Sequence, residues 1–185
     1  MKIYLIRHGE TTGDVEDRYG GDYDDHLSEE GIKQSEGLAR KLKGKGIELI
    51  YTSTRIRAVE TAEIVQKELH MDVKRVHDLR ERNQYGILTG MVKSEAKRKY
   101  PKEVATLAKG IHHHVRDSEG YEPFKKRVVT AFERITSTKY NFIAIITHSG
   151  PISCIVREIL KEEITCGYCT ILEMIRTGST LKLIQ

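Results

Sequence analysis

Two histidines in this chain directly follow apolar segments that have the composition of buried β-strands. Residues 3–6 lead into Arg7 and His8, and residues 142–146 lead toward His148. Open α/β sheets bind their ligands at the carboxyl ends of their strands. Both histidines are therefore predicted to lie at one ligand-binding edge of a sheet.

A second arginine, Arg57, is expected at the same edge. It falls in the first turn of a predicted helix that follows a short strand at residues 49–52. Arginine presents a fixed fork of donors to phosphate oxygens, and the free N–H groups at a helix start favour anions. The side chains therefore favour a phosphoryl-binding pocket over a carboxylate-rich or metal-binding site, and no cofactor is predicted.

Strands and helices are predicted to alternate over the first 160 residues. The predicted helices are residues 28–43 with Ser28 as N-cap, a helix capped by Ser53 or Thr54 and reaching Leu69, a helix starting near Pro123, and one opened by Pro151. The remaining predicted strands are residues 73–76 and a closing hairpin of residues 169–175 and 180–184. This order predicts an α/β fold, a three-layer α/β/α sandwich with a mostly parallel central sheet. The irregular residues 78–90 are the expected place for a substrate loop.

The composition is that of a single globular domain, predicted to span residues 1–185. The longest apolar runs have about five residues, far short of a membrane span of roughly 20. With no signal peptide visible and an odd count of 3 Cys, a cytoplasmic location is expected. The net charge of +4 comes partly from basic clusters at residues 93–102 and 125–127, which are interpreted as solvated faces. No membrane or nucleic-acid partner is therefore expected.

Residues 7–11, which follow the first predicted strand, have the sequence RHGET. This pentapeptide resembles the signature of the histidine phosphatase superfamily, which includes the cofactor-dependent phosphoglycerate mutases. Further similar segments follow in the family's order at residues 27–34, 52–62, 79–86 and 147–150. The resemblance covers nearly the whole chain and implies a phosphoglycerate mutase-like fold with a small cap.

The resemblance also implies a role for each of five side chains. His8 would be the nucleophile, and Glu81 would donate a proton. The phosphoryl oxygens would be held by Arg7, Arg57 and His148. These groups could stabilise the charge of a transferred phosphoryl group without a metal ion.

The chemistry of phosphoryl transfer makes its own demands on two of these residues. A nucleophilic imidazole such as His8 must present an unprotonated nitrogen, so its other nitrogen should donate to a fixed acceptor. The leaving alkoxide needs a proton, and the carboxyl that supplies it can later accept a proton from water. Glu81 suits that two-way role.

Three more residues within or beside the similar segments, Thr11, Asp14 and Ser149, are predicted to bind substrate. Asp14 replaces the asparagine of many relatives and adds negative charge near the phosphate pocket, which disfavours a second bound phosphate. His26 stands where the family usually has proline. The loops that would face the substrate therefore differ from the family pattern more than the phosphoryl site does.

The predicted activity is that of a metal-independent phosphomonoesterase acting on small phosphorylated metabolites through a phosphohistidine. The chain has room only for a small cap at about residues 84–119, whereas a mutase must retain its bisphosphate and exclude water. Two alternatives remain open: a cofactor-dependent phosphoglycerate mutase, and a non-enzymatic module that binds a phosphate ligand or nucleic acid. Sugar phosphates, a nucleoside-like phosphate and phosphoglycerates all remain possible substrates.

Two further features invite a metal or redox interpretation. Consecutive histidines such as His112, His113 and His114 do not converge as ligands, so solvent exposure or contact with a bound anion is expected. Cys166 and Cys169 lack the second pair of a zinc site and are expected to be structural. The closing hairpin offers an edge strand through which a homodimer could form.

Overall fold

Six strands form one sheet in the computed structural model, which describes residues 1–184. They are β1 (Lys2–Arg7), β2 (Leu49–Thr52), β3 (Val73–Arg75), β4 (Phe142–Thr147), β5 (Ile171–Thr177) and β6 (Thr180–Leu183). Their spatial order is β3-β2-β4-β1-β5-β6. Strands β3, β2, β4 and β1 are parallel, β5 pairs antiparallel with β1, and β6 pairs antiparallel with β5. The predicted mostly parallel sheet is confirmed, with the closing hairpin as its antiparallel edge.

Every connection between consecutive strands contains at least one helix, except the hairpin that joins β5 and β6. The helices are α1 (Thr12–Val15), α2 (Glu29–Leu42), α3 (Ile56–Leu69), α4 (Lys93–Lys99), α5 (Pro101–Thr106), α6 (Tyr121–Thr136) and α7 (Ser149–Ile155). Short 3-10 turns occur at His77–Leu79, Gly86–Leu88 and Leu107–Lys109, and a π-helical turn at Val156–Leu160 continues α7. Within residues 1–184, no helix combines the length and apolarity that crossing a membrane requires.

Helices cover both faces of the sheet, which confirms the predicted three layers. Alternate residues of a strand point to opposite faces. In β1, Tyr4 and Ile6 join the apolar cluster formed with α2 and α3. Ile3 and Leu5 join the cluster formed with α6 and α7 on the other face. The sheet is thereby buried on both sides, and its strand ends are left to form the site.

The start of α2 agrees with the sequence prediction, whereas the start of α3 does not. Ser28 is the N-cap of α2, and its hydroxyl accepts a hydrogen bond from the backbone of the first turn. The N-cap of α3 is Arg55 rather than Ser53 or Thr54. The Ser53 hydroxyl is instead hydrogen-bonded to a ring nitrogen of His148 at 2.8 Å. The residue that would cap the helix is used by the candidate site.

The closing hairpin begins later than the sequence predicts. Cys169 has the left-handed φ of 51°, so it cannot continue an extended strand, and β5 starts at Ile171. The Cys169 N–H donates to the carbonyl of Arg7 at 3.1 Å. The segment before β5 is therefore anchored on the end of β1.

Residues 84–119, the predicted cap, contain α4 and α5 and a small apolar cluster of their own. The buried members of that cluster are Leu88, Ala96 and Val115. An isolated antiparallel bridge between Arg18 and Val92 ties the segment to the loop that follows α1. The role of this segment over a substrate stays a prediction.

Candidate active site

The parallel pairing of β1 with β4 brings the two predicted histidines together. Arg7 and Thr147 are register partners, and the His8 N–H donates to the Thr147 carbonyl at 3.0 Å. The rings of His8 and His148 lie with their centroids 5.0 Å apart and their planes at 64°. His8 is 5% exposed and His148 is fully buried.

The hydrogen bonds of His8 determine which of its ring nitrogens is free of a proton. Nδ1 lies 2.6 Å from the Gly9 carbonyl, which only accepts, so Nδ1 carries the proton. Nε2 is then an acceptor, and Arg57 Nε donates to it at 3.1 Å. The fixed acceptor that a nucleophilic imidazole requires is thus present, and Nε2 is the available nitrogen.

His148 takes the complementary tautomer. Arg57 Nε also donates to His148 Nδ1 at 3.2 Å, so the proton of His148 resides on Nε2. That nitrogen donates to Ser53 Oγ. Ser53 was expected as a possible helix cap and lies within the family-like segment 52–62, but no role in the site was predicted for it. Its signal as a site residue is its position directly after β2.

Burial lowers the pKa of both histidines. For His8, desolvation is the largest cause, the nearby charges of Arg57 and then Arg7 lower the pKa further, and the Gly9 carbonyl opposes them. For His148, desolvation again comes first, followed by the charge of Arg57. Both pKa values lie well below 6.5, so both rings are neutral near pH 7.

Arg57 is 3% exposed and is held by the loop that precedes α2. Nη1 donates to the Tyr23 carbonyl at 2.8 Å and to Asp25 Oδ1 at 2.7 Å, and Nη2 donates to the Gly21 carbonyl at 2.8 Å. The sequence predicts phosphate oxygens as the partners of the terminal fork of Arg57. In this arrangement the loop occupies that fork, and Nε alone faces the histidines. Asp25 was not among the predicted site residues.

Arg7 lies beside the histidines and stacks on Tyr168. Its guanidinium carbon is 4.1 Å from the centre of the Tyr168 ring, and Nη1 donates to the Cys166 carbonyl at 2.7 Å. Arg7 Nε is buried and has no hydrogen-bond partner among the described residues. The Tyr168 ring is also 6.5 Å from that of His8. Tyr168 is a site residue that the sequence did not predict, because only the flanking Cys166 and Cys169 are of a type that suggests chemistry.

Thr11 and Asp14 are paired with each other through a capping box at α1. Asp14 Oδ2 accepts from the Thr11 N–H at 3.0 Å and from the Thr11 hydroxyl at 2.8 Å, and the Asp14 N–H donates back at 3.1 Å. The carboxylate of Asp14 also lies near the Tyr168 hydroxyl, whose pKa is raised mainly by burial and then by Asp14. Asp14 therefore serves as a local cap and lies near Tyr168, and its effect on the charge of a phosphate pocket stays a prediction.

Glu81 approaches the start of α7. Its Oε2 accepts from the Ser149 hydroxyl at 3.3 Å and from the Gly150 N–H at 3.1 Å, and its Oε1 accepts from the Arg82 N–H at 2.7 Å. A Cβ at Gly150 would lie 2.0 Å from Glu81 Oε1. Glycine is therefore required for this approach. Ser149 contacts Glu81, and its predicted contact with substrate stays a prediction.

Two cavities adjoin these residues. One of about 220 Å³ is lined by Glu81 and Ser149 together with the aromatic rings of Tyr121 and Phe124. Another, of about 600 Å³, includes Asp25 in its lining. The organic part of a bound molecule would therefore have room next to the carboxyl of Glu81 or next to Asp25.

His112, His113 and His114 and the two cysteines Cys166 and Cys169 lie outside the group formed by His8, Arg57 and His148. His112 and His114 are exposed as expected, but His113 is 7% exposed because its Nε2 bonds to the Gln84 carbonyl at 3.0 Å. Within residues 1–184, no group of three potential ligand residues could hold a metal ion. Burial raises the pKa of the Cys166 thiol, and raises that of Cys169 to about 11. Both thiols therefore remain protonated near pH 7.

The amino-acid sequence of this chain is similar to those of known proteins. The sequence model of the histidine phosphatase superfamily (branch 1) matches residues 3–175. A 2,3-bisphosphoglycerate-dependent phosphoglycerate mutase of Nitrobacter winogradskyi is 36% identical over 106 residues, which are 55% of this chain and 51% of the mutase. The match thus spans about half the length of that relative.

Solved structures share the fold over nearly the full chain. The α-ribazole phosphatase of Shigella flexneri superimposes with a TM-score of 0.87 at 23% identity, covering 100% of this chain and 95% of that one. YhfR of Bacillus stearothermophilus gives a TM-score of 0.87 at 25% identity, covering 98% of this chain and 94% of that one. The phosphoglycerate mutase-like architecture expected from the sequence is confirmed.

Proposed function

The chain belongs to the histidine phosphatase superfamily (branch 1), and we propose that it is a metal-independent phosphomonoesterase of small phosphorylated metabolites. The observation that carries this proposal is the state of His8. Its Nδ1 proton is held by Gly9, and its Nε2 faces Arg57 as an unprotonated acceptor. A buried imidazole with a lowered pKa and one unprotonated nitrogen is the nucleophile that phosphoryl transfer needs, once the substrate displaces the Arg57 hydrogen bond from that nitrogen.

In the first step, His8 Nε2 attacks phosphorus, and the bond from phosphorus to the ester oxygen breaks. The proton of the Glu81 carboxyl passes to the departing alkoxide, which leaves as a neutral alcohol. The products are a phosphohistidine on His8 and the Glu81 carboxylate. Arg7 Nε, buried and without a partner in the described chain, would donate to a phosphoryl oxygen.

In the second step, Glu81 takes a proton from water, and the water oxygen attacks the phosphohistidine. The bond from phosphorus to Nε2 breaks, inorganic phosphate leaves, and the electron pair returns to His8. Glu81 ends protonated, so the cycle closes with the same groups. One carboxyl therefore serves as acid and then as base.

Ser53 supports a second role for His148. When a phosphoryl group occupies the site, His148 Nδ1 must donate rather than accept. Because the Ser53 hydroxyl can accept from or donate to Nε2, the ring can change tautomer without losing that hydrogen bond. His148 could then stabilise the transferred group while remaining neutral.

A phosphoglycerate mutase is the second candidate, favoured by the similarity to the Nitrobacter enzyme. A mutase must keep water from the phosphohistidine, whereas a phosphatase must admit it. The small cap at residues 84–119 and the negative charge of Asp14 support the phosphatase. The free cysteines support a cytoplasmic location.

The test is hydrolysis of p-nitrophenyl phosphate in the presence of a chelator. Wild-type protein should release phosphate and form an acid-labile phosphoenzyme that ³¹P NMR detects, whereas His8→Ala should do neither. The exposed His70, in a left-handed conformation at the end of α3, provides the matched control His70→Asn. Activity in His8→Ala, or activity only with added metal, would contradict the proposal.

A second assay separates the two enzymes. The protein is incubated with 3-phosphoglycerate and bisphosphoglycerate, and both 2-phosphoglycerate and inorganic phosphate are followed. Phosphate release without isomerisation supports the phosphatase, and isomerisation supports the mutase. Phosphate binding without either reaction would favour a non-enzymatic binding module.

A further inference from the structure

Arg127, on α6, donates hydrogen bonds both to the main chain around Glu81 and to the side chain of Glu119. Nη1 donates to the carbonyls of Asp78 and Arg80, each at 2.8 Å. Nη2 donates to the carbonyl of Glu81 at 2.9 Å. A guanidinium has five N–H donors, and three of them here hold the main chain at the proposed proton donor and in the residues just before it.

The other two donors of Arg127 bind Glu119. Nε lies 2.7 Å from Glu119 Oε1 and Nη2 lies 2.8 Å from Oε2, which is a two-pronged ion pair. Glu119 in turn pairs with Asn83, since its N–H donates to the Asn83 carbonyl at 2.8 Å. Its own carbonyl accepts from Arg82 Nε at 2.9 Å. The pair of Arg127 and Glu119 therefore fixes residues 78–83.

Both the main chain and the side chain of Glu81 are consequently held by hydrogen bonds. Its main chain is held by Arg127, and its carboxylate is held by the start of α7 through Ser149 and Gly150. Neither Arg127 nor Glu119 is placed against the histidine pair by any of these hydrogen bonds. The charge of Arg127 also helps to lower the pKa of His148. Because Arg127→Lys keeps a positive charge there, a change caused by this variant reports on the position of Glu81.

We propose that Arg127 is a positioning residue that keeps the Glu81 carboxyl within reach of the leaving group. The inference rests on the proposed function, in which Glu81 is the proton donor. Displacement of a catalytic group by about 1 Å can cost a large fraction of its rate effect. Lysine cannot replace Arg127, because a single ammonium nitrogen cannot span three carbonyls and a carboxylate.

The experiment compares two substrates of nearly equal size that differ in their need for a proton. Nitrophenolate leaves readily without one, whereas phenolate is more basic and benefits more from Glu81. The measured quantity is kcat/KM for phenyl phosphate divided by kcat/KM for p-nitrophenyl phosphate, since kcat/KM covers the steps up to phosphoryl transfer. Glu81→Gln and Arg127→Lys should each lower this ratio, by about tenfold for the former and somewhat less for the latter.

Two controls separate positioning from general damage. Arg176 forms a similar two-pronged pair with Glu133, with both N–O distances at 2.6 Å, on β5 away from the histidines. Arg176→Lys should leave the ratio unchanged. Glu119→Gln, which keeps the size of the side chain, provides a milder disruption if Arg127→Lys folds poorly, and it should move the ratio in the same direction.

The double variant Glu81→Gln with Arg127→Lys gives the decisive result. If Arg127 acts through Glu81, the double variant has the same ratio as Glu81→Gln alone. A further fall in the double variant, or an unchanged ratio in folded Arg127→Lys and Glu119→Gln, would overturn the inference. An unchanged ratio in Glu81→Gln would instead overturn the proton-donor role of Glu81 itself, and this inference with it.

Discussion

Asp25 and Arg57 form a buried ion pair next to the two histidines, with Asp25 Oδ1 2.7 Å from Arg57 Nη1. Their side chains are 8% and 4% exposed. The pair offsets a positive charge that would otherwise attract the phosphoryl group more strongly. It also keeps the Arg57 fork on the loop and leaves Nε between His8 and His148. Asp25 therefore stabilises the folded chain but weakens the attraction of the site for an anion.

Asp25→Asn should lower the stability of the protein and raise its affinity for inorganic phosphate. The variant leaves the buried Arg57 charge without its partner, which should lower the free energy of unfolding by about 3 kcal/mol. Inorganic phosphate should inhibit the variant at several-fold lower concentration, because a negative charge has left the pocket. Urea unfolding and competitive inhibition measure the two effects. Asp24→Asn, at an exposed partner of Arg55, should change neither appreciably.

Gly150→Ala should displace Glu81 without altering its chemistry. The new Cβ would lie 2.0 Å from Glu81 Oε1, so the carboxylate must leave the start of α7. We expect the loss for phenyl phosphate to approach that of Glu81→Gln, on the order of tenfold or more in kcat/KM. Gly37→Ala, in the open middle of α2, is the control and should keep full activity. Full activity in Gly150→Ala would show that Glu81 works from another position.

Tyr168→Leu should weaken substrate binding through Arg7. Loss of the ring at 4.1 Å removes a cation–π contact that orients the guanidinium. At about 1 kcal/mol, that contact corresponds to a roughly fivefold higher KM for p-nitrophenyl phosphate. Tyr168→Phe keeps the ring and should behave like the wild type. If the phenylalanine variant is equally impaired, the hydroxyl near Asp14 is the important group instead.

The two buried histidines should make stability depend on pH. Their folded-state pKa values lie well below the ordinary value of 6.5. Below pH 6.5 the unfolded chain takes up protons that the folded chain does not, so the free energy of unfolding falls as the pH falls. The slope should reach about 1.4 kcal/mol per pH unit for each histidine. Urea unfolding between pH 7.5 and 5.5 measures it.

The control for that measurement is the double variant His8→Asn with His148→Asn, which lacks both imidazole rings. Its free energy of unfolding should depend on pH less steeply than that of the wild type over the same range. Equal slopes would mean that the histidines are protonated in the folded protein.

The sequence predicted those parts of the site that depend on single strand ends. His8 and His148 follow apolar strands, and parallel pairing alone brings them together. Tyr168 was not predictable in this way, because it reaches Arg7 only through the antiparallel return of β5 alongside β1. Asp25 was missed for a similar reason, since its pairing with Arg57 requires a loop to fold over the start of α3. The prediction that Ser53 or Thr54 caps α3 was wrong. The Ser53 hydroxyl is hydrogen-bonded to His148, a tertiary contact that the local sequence does not indicate.

β1 lies between β4 and β5, so both of its hydrogen-bonded neighbours are synthesised long after it. During translation, His8 leaves the ribosome early but has neither His148 beside it nor Tyr168 near Arg7. Pairings between such distant parts of a chain also form slowly. An incompletely translated chain therefore carries the proposed nucleophile in an unfinished sheet, and the candidate site is complete only after β4 and β5 have been made.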